Sequence, residues 1–141
     1  MTIKMEKDMK TNYELVREFH ESFGAELDQP ITYDGIALRS SLMKEEMEEV
    51  KKELTECTMD LSEFGYATDS VRTNLLKELC DLLYVIYGTA ATFGMDIDGA
   101  FKEVHRSNMS KLGEDGKPIK RADGKILKGD GYTVADVREF I

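Results

Sequence analysis

The stretch Val71–Phe93 constrains the fold more than any other part of the chain. Read at a helical period, Leu75, Leu76, Leu79, Leu82, Leu83, Val85, Ile86, Tyr87, Ala90 and Phe93 leave almost no polar side. A helix that is apolar all round is expected at the centre of a bundle, covered by its neighbours. Two acids interrupt it, Glu78 and Asp81. The spacing E-x-x-D sets both on one face, a turn apart. Carboxylates without compensation are costly in such a place. A mere scaffold would gain stability by replacing them with apolar residues.

A second acidic motif lies upstream, Glu45-Glu46-x-x-Glu49, in a helix expected from about Ile36 to Glu56. At about 100° per residue, Glu45, Glu46, Glu49 and Glu53 border the apolar stripe formed by Ile36, Met43, Met47, Val50 and Leu54. Lys44, Glu48, Lys51 and Lys52 take the opposite side. Alone, E-E-x-x-E is a weak signal, because solvated helix faces produce it by chance. A solvated face, however, would group the acids with the lysines. Packed face to face, the two helices would gather four or five carboxylates in a small volume. Such a group needs protons or cations. A hard divalent cation is the natural neutraliser, and carboxylate-bound Mg²⁺ usually also holds substrate phosphates.

The other elements follow from caps and breakers. Asn12 is expected to cap a helix through Tyr13, Val16, Phe19, His20 and Phe23 that Gly24 stops. Asp28-Gln29-Pro30 and Asp34-Gly35 mark a loop, and Asp60–Ser70 reads as a polar connection with Asp69 or Ser70 as the next N-cap. After Gly94, a fourth helix is expected over about Ile97–Leu112, with Phe101, Val104, His105, Asn108 and Leu112 facing inward. Residues 1–11 read as a frayed leader. Beyond Leu112, two short strands around Asp123-Gly124 are expected to form a hairpin, with a short terminal helix over Val134–Ile141. The expected architecture is all-α: a four-helix bundle in one domain, residues 1–141, with residues 113–141 as a C-terminal β-hairpin extension.

Composition removes several functions. A net charge of −9 argues against nucleic acid or an anionic membrane surface as partner. No segment approaches the ~20 apolar residues of a membrane span, and Met1–Asn12 has no secretory pattern. Cys57 and Cys80 lack C-x-x-C spacing, so neither zinc nor a disulfide framework is indicated, and Cys80 reads as a buried thiol. A reducing, cytoplasmic setting is expected. Residues 105–128 hold seven Lys/Arg against three Asp/Glu. Their bland reading is a solvated hairpin paired with the acidic body, and the sharper one a cationic flap near phosphates or a neighbouring subunit.

Other metal and hydrolase chemistries fail on the letters. Di-iron bundles want E-x-x-H, but Arg17 and Lys102 stand three residues before His20 and His105, the two histidines of the chain. Neither an EF-hand loop, a Walker-type loop, G-x-S-x-G nor H-E-x-x-H occurs. His105 reads as a core histidine. An all-carboxylate Mg²⁺ cluster instead suits phosphoryl chemistry, with the cation acidifying a bound water and a free carboxylate taking its proton.

These residues give the chain a resemblance to the all-α nucleoside triphosphate pyrophosphohydrolases. That superfamily includes the MazG-like proteins, dimeric dUTPases, dCTPases and phosphoribosyl-ATP pyrophosphohydrolases. The shared signature is E-E-x-x-E followed by E-x-x-D, here Glu45-Glu46-x-x-Glu49 and Glu78-x-x-Asp81 with 28 residues between them. The likeness extends over roughly Tyr13–Val134, including Leu38-Arg39-Ser40-Ser41-Leu42 and Leu82-Leu83-Tyr84-Val85-Ile86-Tyr87-Gly88. The segment from His105 to Lys111, with Gly113-Glu114-Asp115-Gly116-Lys117-Pro118, is similar to a phosphoribosyl-ATP pyrophosphohydrolase-like subgroup.

The resemblance implies Mg²⁺-dependent cleavage between the α- and β-phosphates of a nucleoside triphosphate, giving a monophosphate and pyrophosphate; Mn²⁺ is expected to substitute. It implies Glu46, Glu49, Glu78 and Asp81 as metal ligands and Glu45 as the carboxylate that orders or deprotonates water. It implies nucleotide or phosphate contacts for Asn108 and Lys111, and assembly as a dimer or tetramer. The alternative is a non-enzymatic helical nucleotide-binding or regulatory protein that keeps the fold.

Overall fold

A computed structural model of the chain describes residues 9–141. Most of the expected leader therefore lies outside the described residues. The chain divides into two compact units, Met1–Gly94 and Met95–Ile141, each described by itself below. Among the described residues four α-helices form and no strand does.

The first unit holds α1 (Asn12–Phe23), α2 (Tyr33–Phe64) and α3 (Asp69–Thr92). Thr11, not Asn12, caps α1. Its hydroxyl accepts from the Glu14 N–H while the Glu14 carboxylate accepts from the Thr11 N–H, so two otherwise unpaired donors are satisfied together. Gly24, at φ 69°, ends the helix in the left-handed conformation that glycine adopts without a Cβ penalty.

The second helix runs eight residues past its expected end at Glu56. The reason is local. Thr55, Thr58 and Ser62 each donate a hydroxyl to the carbonyl four residues back, so side chains that would favour a turn are satisfied inside the helix. Gly65, at φ 78°, then stops it. Across the short connection, Asp60 accepts from both the N–H and the hydroxyl of Thr68, the residue that caps α3. The pairing fixes the far end of α2 against the start of α3, and the two helices run antiparallel.

The third helix departs from expectation in its surroundings. Leu76 is 64% exposed, and Leu79, Leu83 and Tyr84 are also exposed. Among the described residues of the first unit it is packed by α2 and by α1, too few neighbours to cover a helix apolar all round. Cys80 is likewise exposed instead of buried. It borders a groove of about 210 Å³ between α1 and α3, with Leu15, Val16 and Tyr84. Aromatic pairs join those helices, Phe19 edge-on to Tyr84 at 5.6 Å and Tyr13 near Tyr87 at 6.4 Å. The buried residues concentrate toward the end of α3, where Ala90, Ala91 and Thr92 meet the loop after α1. There the Asp28 and Gln29 N–H groups donate to the Ala91 and Thr92 carbonyls. Arg17 holds the Asp28 carboxylate with both terminal nitrogens, at 2.9 and 2.6 Å.

The second unit contains α4 (Ile97–Met109) and a C-terminal segment ending in a 3-10 turn at Arg138–Phe140, shorter than the helix expected there. The expected hairpin reduces to one antiparallel bridge, Lys120 with Ile126, around a turn at Gly124. The turn residues are right, but the flanks are short, Ile126 stays 55% exposed, and a lone two-stranded ribbon is marginal without further strands or a helix to pack against. Polar contacts bind the C-terminal segment to α4: Ser107 donates to the Thr133 carbonyl at 2.8 Å, and Asp136 N–H to Glu103 at 3.0 Å.

Candidate metal site

Glu46 sits mid-way along α2, and Glu78 and Asp81 lie near the middle of α3. The antiparallel pairing opposes these stretches. One carboxylate oxygen from each of the three lies within 4.8 Å of the others, and all three residues are half-buried. The electrostatic result is visible at Glu46. Its pKa is raised, first by desolvation and then by the charges of Asp81, Glu45 and Glu78, with Lys77 pulling the other way. Both leading causes disfavour the ionised form. The donors are oxygens only, their charges repel, and no cysteine or histidine is among them. That set fits a hard divalent cation better than a soft or borderline one.

A register clamp lies two turns away along both helices. Arg39 is buried between α2 and α3, donating Nε to the Thr89 hydroxyl at 3.1 Å and Nη2 to the Val85 carbonyl at 2.9 Å. Gly88 makes room for it: a Cβ there would stand 2.5 Å from Arg39 Nη2 and 3.1 Å from His20 Nε2. His20 is itself buried and bonded through Nδ1 to the Glu26 carbonyl at 2.9 Å. Arg39 precedes Glu46 by seven residues, and Val85 follows Glu78 by seven. The clamp and the carboxylate cluster therefore share one face of each helix, and the bonds at one fix the register at the other.

The remaining expected site residues are placed as follows. Glu45 and Glu49 are exposed on α2, outside the trio whose oxygens converge. Glu48 is on the solvent side, paired with Lys51 at 2.9 Å. Glu53 is half-buried a turn beyond the motif. In the second unit, Lys111 donates to the Asn108 side-chain oxygen at 2.9 Å. Asn108 and His105 are exposed, not inward-facing, because Ser107 is the residue of that turn buried against the C-terminal segment.

Sequence reasoning passed over two residues. Lys77 pairs with Asp81 at 2.7 Å and Glu78 at 3.2 Å. The signal was its adjacency to Glu78 and its i,i+4 relation to Asp81. For Arg39 the signal was the seven-residue step from Glu46, which keeps a side chain on the same face.

A model of the family described as phosphoribosyl-ATP pyrophosphohydrolase matches residues 16–108, well over half of the chain. The chain belongs to that family. The matched stretch contains both acidic motifs and ends at Asn108, so Lys111 lies three residues beyond it. A protein of Acanthamoeba polyphaga mimivirus, named "Uncharacterized protein L479", is 26% identical over 122 residues, covering 84% of this chain. The chain spans 42% of that relative's length. Among the described residues of this family member, no helix is long and apolar enough to cross a membrane.

Proposed function

We propose that this family member is a Mg²⁺-dependent nucleoside triphosphate pyrophosphohydrolase. It cleaves the α–β phosphoanhydride bond and releases a nucleoside monophosphate and pyrophosphate. The observation that carries the reading is the convergence of Glu46, Glu78 and Asp81 within 4.8 Å from two helices. Burial first, and then the like charges gathered at that distance, raise the Glu46 pKa, and the cluster costs stability unless a cation offsets it.

In this reading Glu46, Glu78 and Asp81 hold the cation, with Glu49 one turn along α2 as the fourth ligand. A divalent cation bound there would neutralise phosphate charge and lower the pKa of a coordinated water. Glu45, exposed and next to Glu46, is free to accept the proton of the attacking water. Asn108 and Lys111 contact nucleotide or phosphate, the ammonium as a point charge on phosphate oxygens. Mn²⁺ would substitute for Mg²⁺, since oxygen ligands suit both. The protein works in the cytoplasm, as a dimer or tetramer. The exposed row Leu76, Leu79 and Leu83 on α3, with Leu54 and Leu61 on α2, supports self-association, because apolar area of this kind is usually covered in the working assembly.

The test is Glu78→Gln. It removes one ligand charge while keeping the shape of the side chain. Turnover should fall by at least about a hundredfold, with helical circular dichroism retained. Activity within a few-fold of the unaltered protein would remove Glu78 from the ligand set.

A further inference from the structure

The lysine between the acids has no place in the scheme above. Lys77 Nζ lies 2.7 Å from Asp81 and 3.2 Å from Glu78. Helix stability does not explain the arrangement. Lys77 is 65% exposed, and an exposed lysine placed N-terminal to its acid is the weaker orientation of an i,i+4 pair. What distinguishes it is where the ammonium sits: against two of the three carboxylates whose oxygens converge.

We propose that Lys77 is a tethered counter-ion of this site, which yields the Glu78 and Asp81 carboxylates to an arriving divalent cation and then takes a phosphate oxygen of the substrate. The inference rests on the metal-site reading above. Its physical basis is competition: the same oxygens cannot be fully engaged by an ammonium and by a cation of higher charge. The lysine's long exposed stem allows the exchange without moving the helix backbone. Once displaced, the ammonium remains beside phosphates that the cation has drawn in, and a charge-assisted bond to them replaces the one it lost.

The experiment measures binding, not turnover. Mn²⁺ affinity of the full chain is followed by electron paramagnetic resonance for the unaltered protein, Lys77→Gln and Lys77→Arg, and pyrophosphate affinity is then followed at saturating Mn²⁺. Removing one positive charge from the ligand oxygens should tighten Mn²⁺ binding about five- to tenfold in Lys77→Gln. Pyrophosphate should bind that variant more weakly by a similar factor, while Lys77→Arg stays near the unaltered protein in both. Unchanged or weaker Mn²⁺ binding by Lys77→Gln, with the unaltered protein binding Mn²⁺, overturns the counter-ion role alone. Unchanged pyrophosphate affinity overturns the phosphate role. If none of the three proteins binds Mn²⁺, the metal-site reading fails and takes this one with it.

Discussion

Gly88→Ala tests whether the buried guanidinium really joins the two acid-bearing helices. In an unobstructed helix interior, alanine in place of glycine stabilises by about 1 kcal/mol, through backbone entropy. Here the added Cβ would stand 2.5 Å from Arg39 Nη2. An exposed arginine would swing aside at little cost, but this one is 8% exposed and bonded to Val85 and Thr89. Retreat sacrifices the bond to the Val85 carbonyl, worth about 1.5–3 kcal/mol for a charged donor. The loss exceeds the helical gain, so Gly88→Ala should destabilise by about 1 kcal/mol. In an Arg39→Met background only the milder contact with His20 Nε2 at 3.1 Å remains, and the same change should stabilise by up to about 1 kcal/mol. The resulting coupling is up to about 2 kcal/mol, readable in a double-mutant cycle from urea denaturation followed at 222 nm. If Gly88→Ala stabilises both backgrounds equally, the guanidinium is not seated against Gly88 and the register argument falls.

Two further predictions concern pH. Glu46 has a folded pKa raised above its ordinary value, so its contribution to stability is fullest below the unfolded pKa and declines as pH rises through the folded one. Metal-free Glu46→Gln should therefore be more stable than the unaltered protein at pH 7 and no more stable near pH 3, by urea titration at each pH; the opposite ordering would contradict the repulsion. Glu103 has the reverse sign. Its bonds from Arg106 and from the Asp136 N–H hold its pKa down to about 2. Its contribution is present above the ordinary value near 4.5 and is lost as pH falls toward 2. Glu103→Gln should loosen the C-terminal segment at pH 7, seen as faster amide exchange at Asp136, with no difference from the unaltered protein below pH 2.

Much of the first unit was legible because apolar period and acid spacing are local properties. Glu78 and Asp81 announced themselves by interrupting an apolar run, and the structure brings both to Glu46. The length of α2 was hidden because Thr55, Thr58 and Ser62 read as turn formers until their hydroxyls are seen bonded within the helix. Burial of α3 was overread. Apolarity states what must be covered and not what covers it, and a single chain leaves Leu76 and Cys80 exposed. Arg39 and Lys77 escaped notice for a related reason. Helical period alone marks neither cation, whereas in the structure one is buried on backbone and hydroxyl acceptors and the other lies among carboxylates. In the second unit Asn108 and His105 were assigned inward by period alone, while a side-chain contact to a distant segment, Ser107 with Thr133, decides which side of α4 is buried.

The most direct measurement is phosphorus-31 nuclear magnetic resonance of the products formed with Mg²⁺ from a panel of nucleoside triphosphates and phosphoribosyl-ATP. α–β cleavage yields pyrophosphate and the corresponding monophosphate in equal amounts from at least one substrate, and nothing when Mg²⁺ is chelated. Orthophosphate with a nucleoside diphosphate would contradict the assigned bond, and no product from any nucleotide would contradict the enzyme itself.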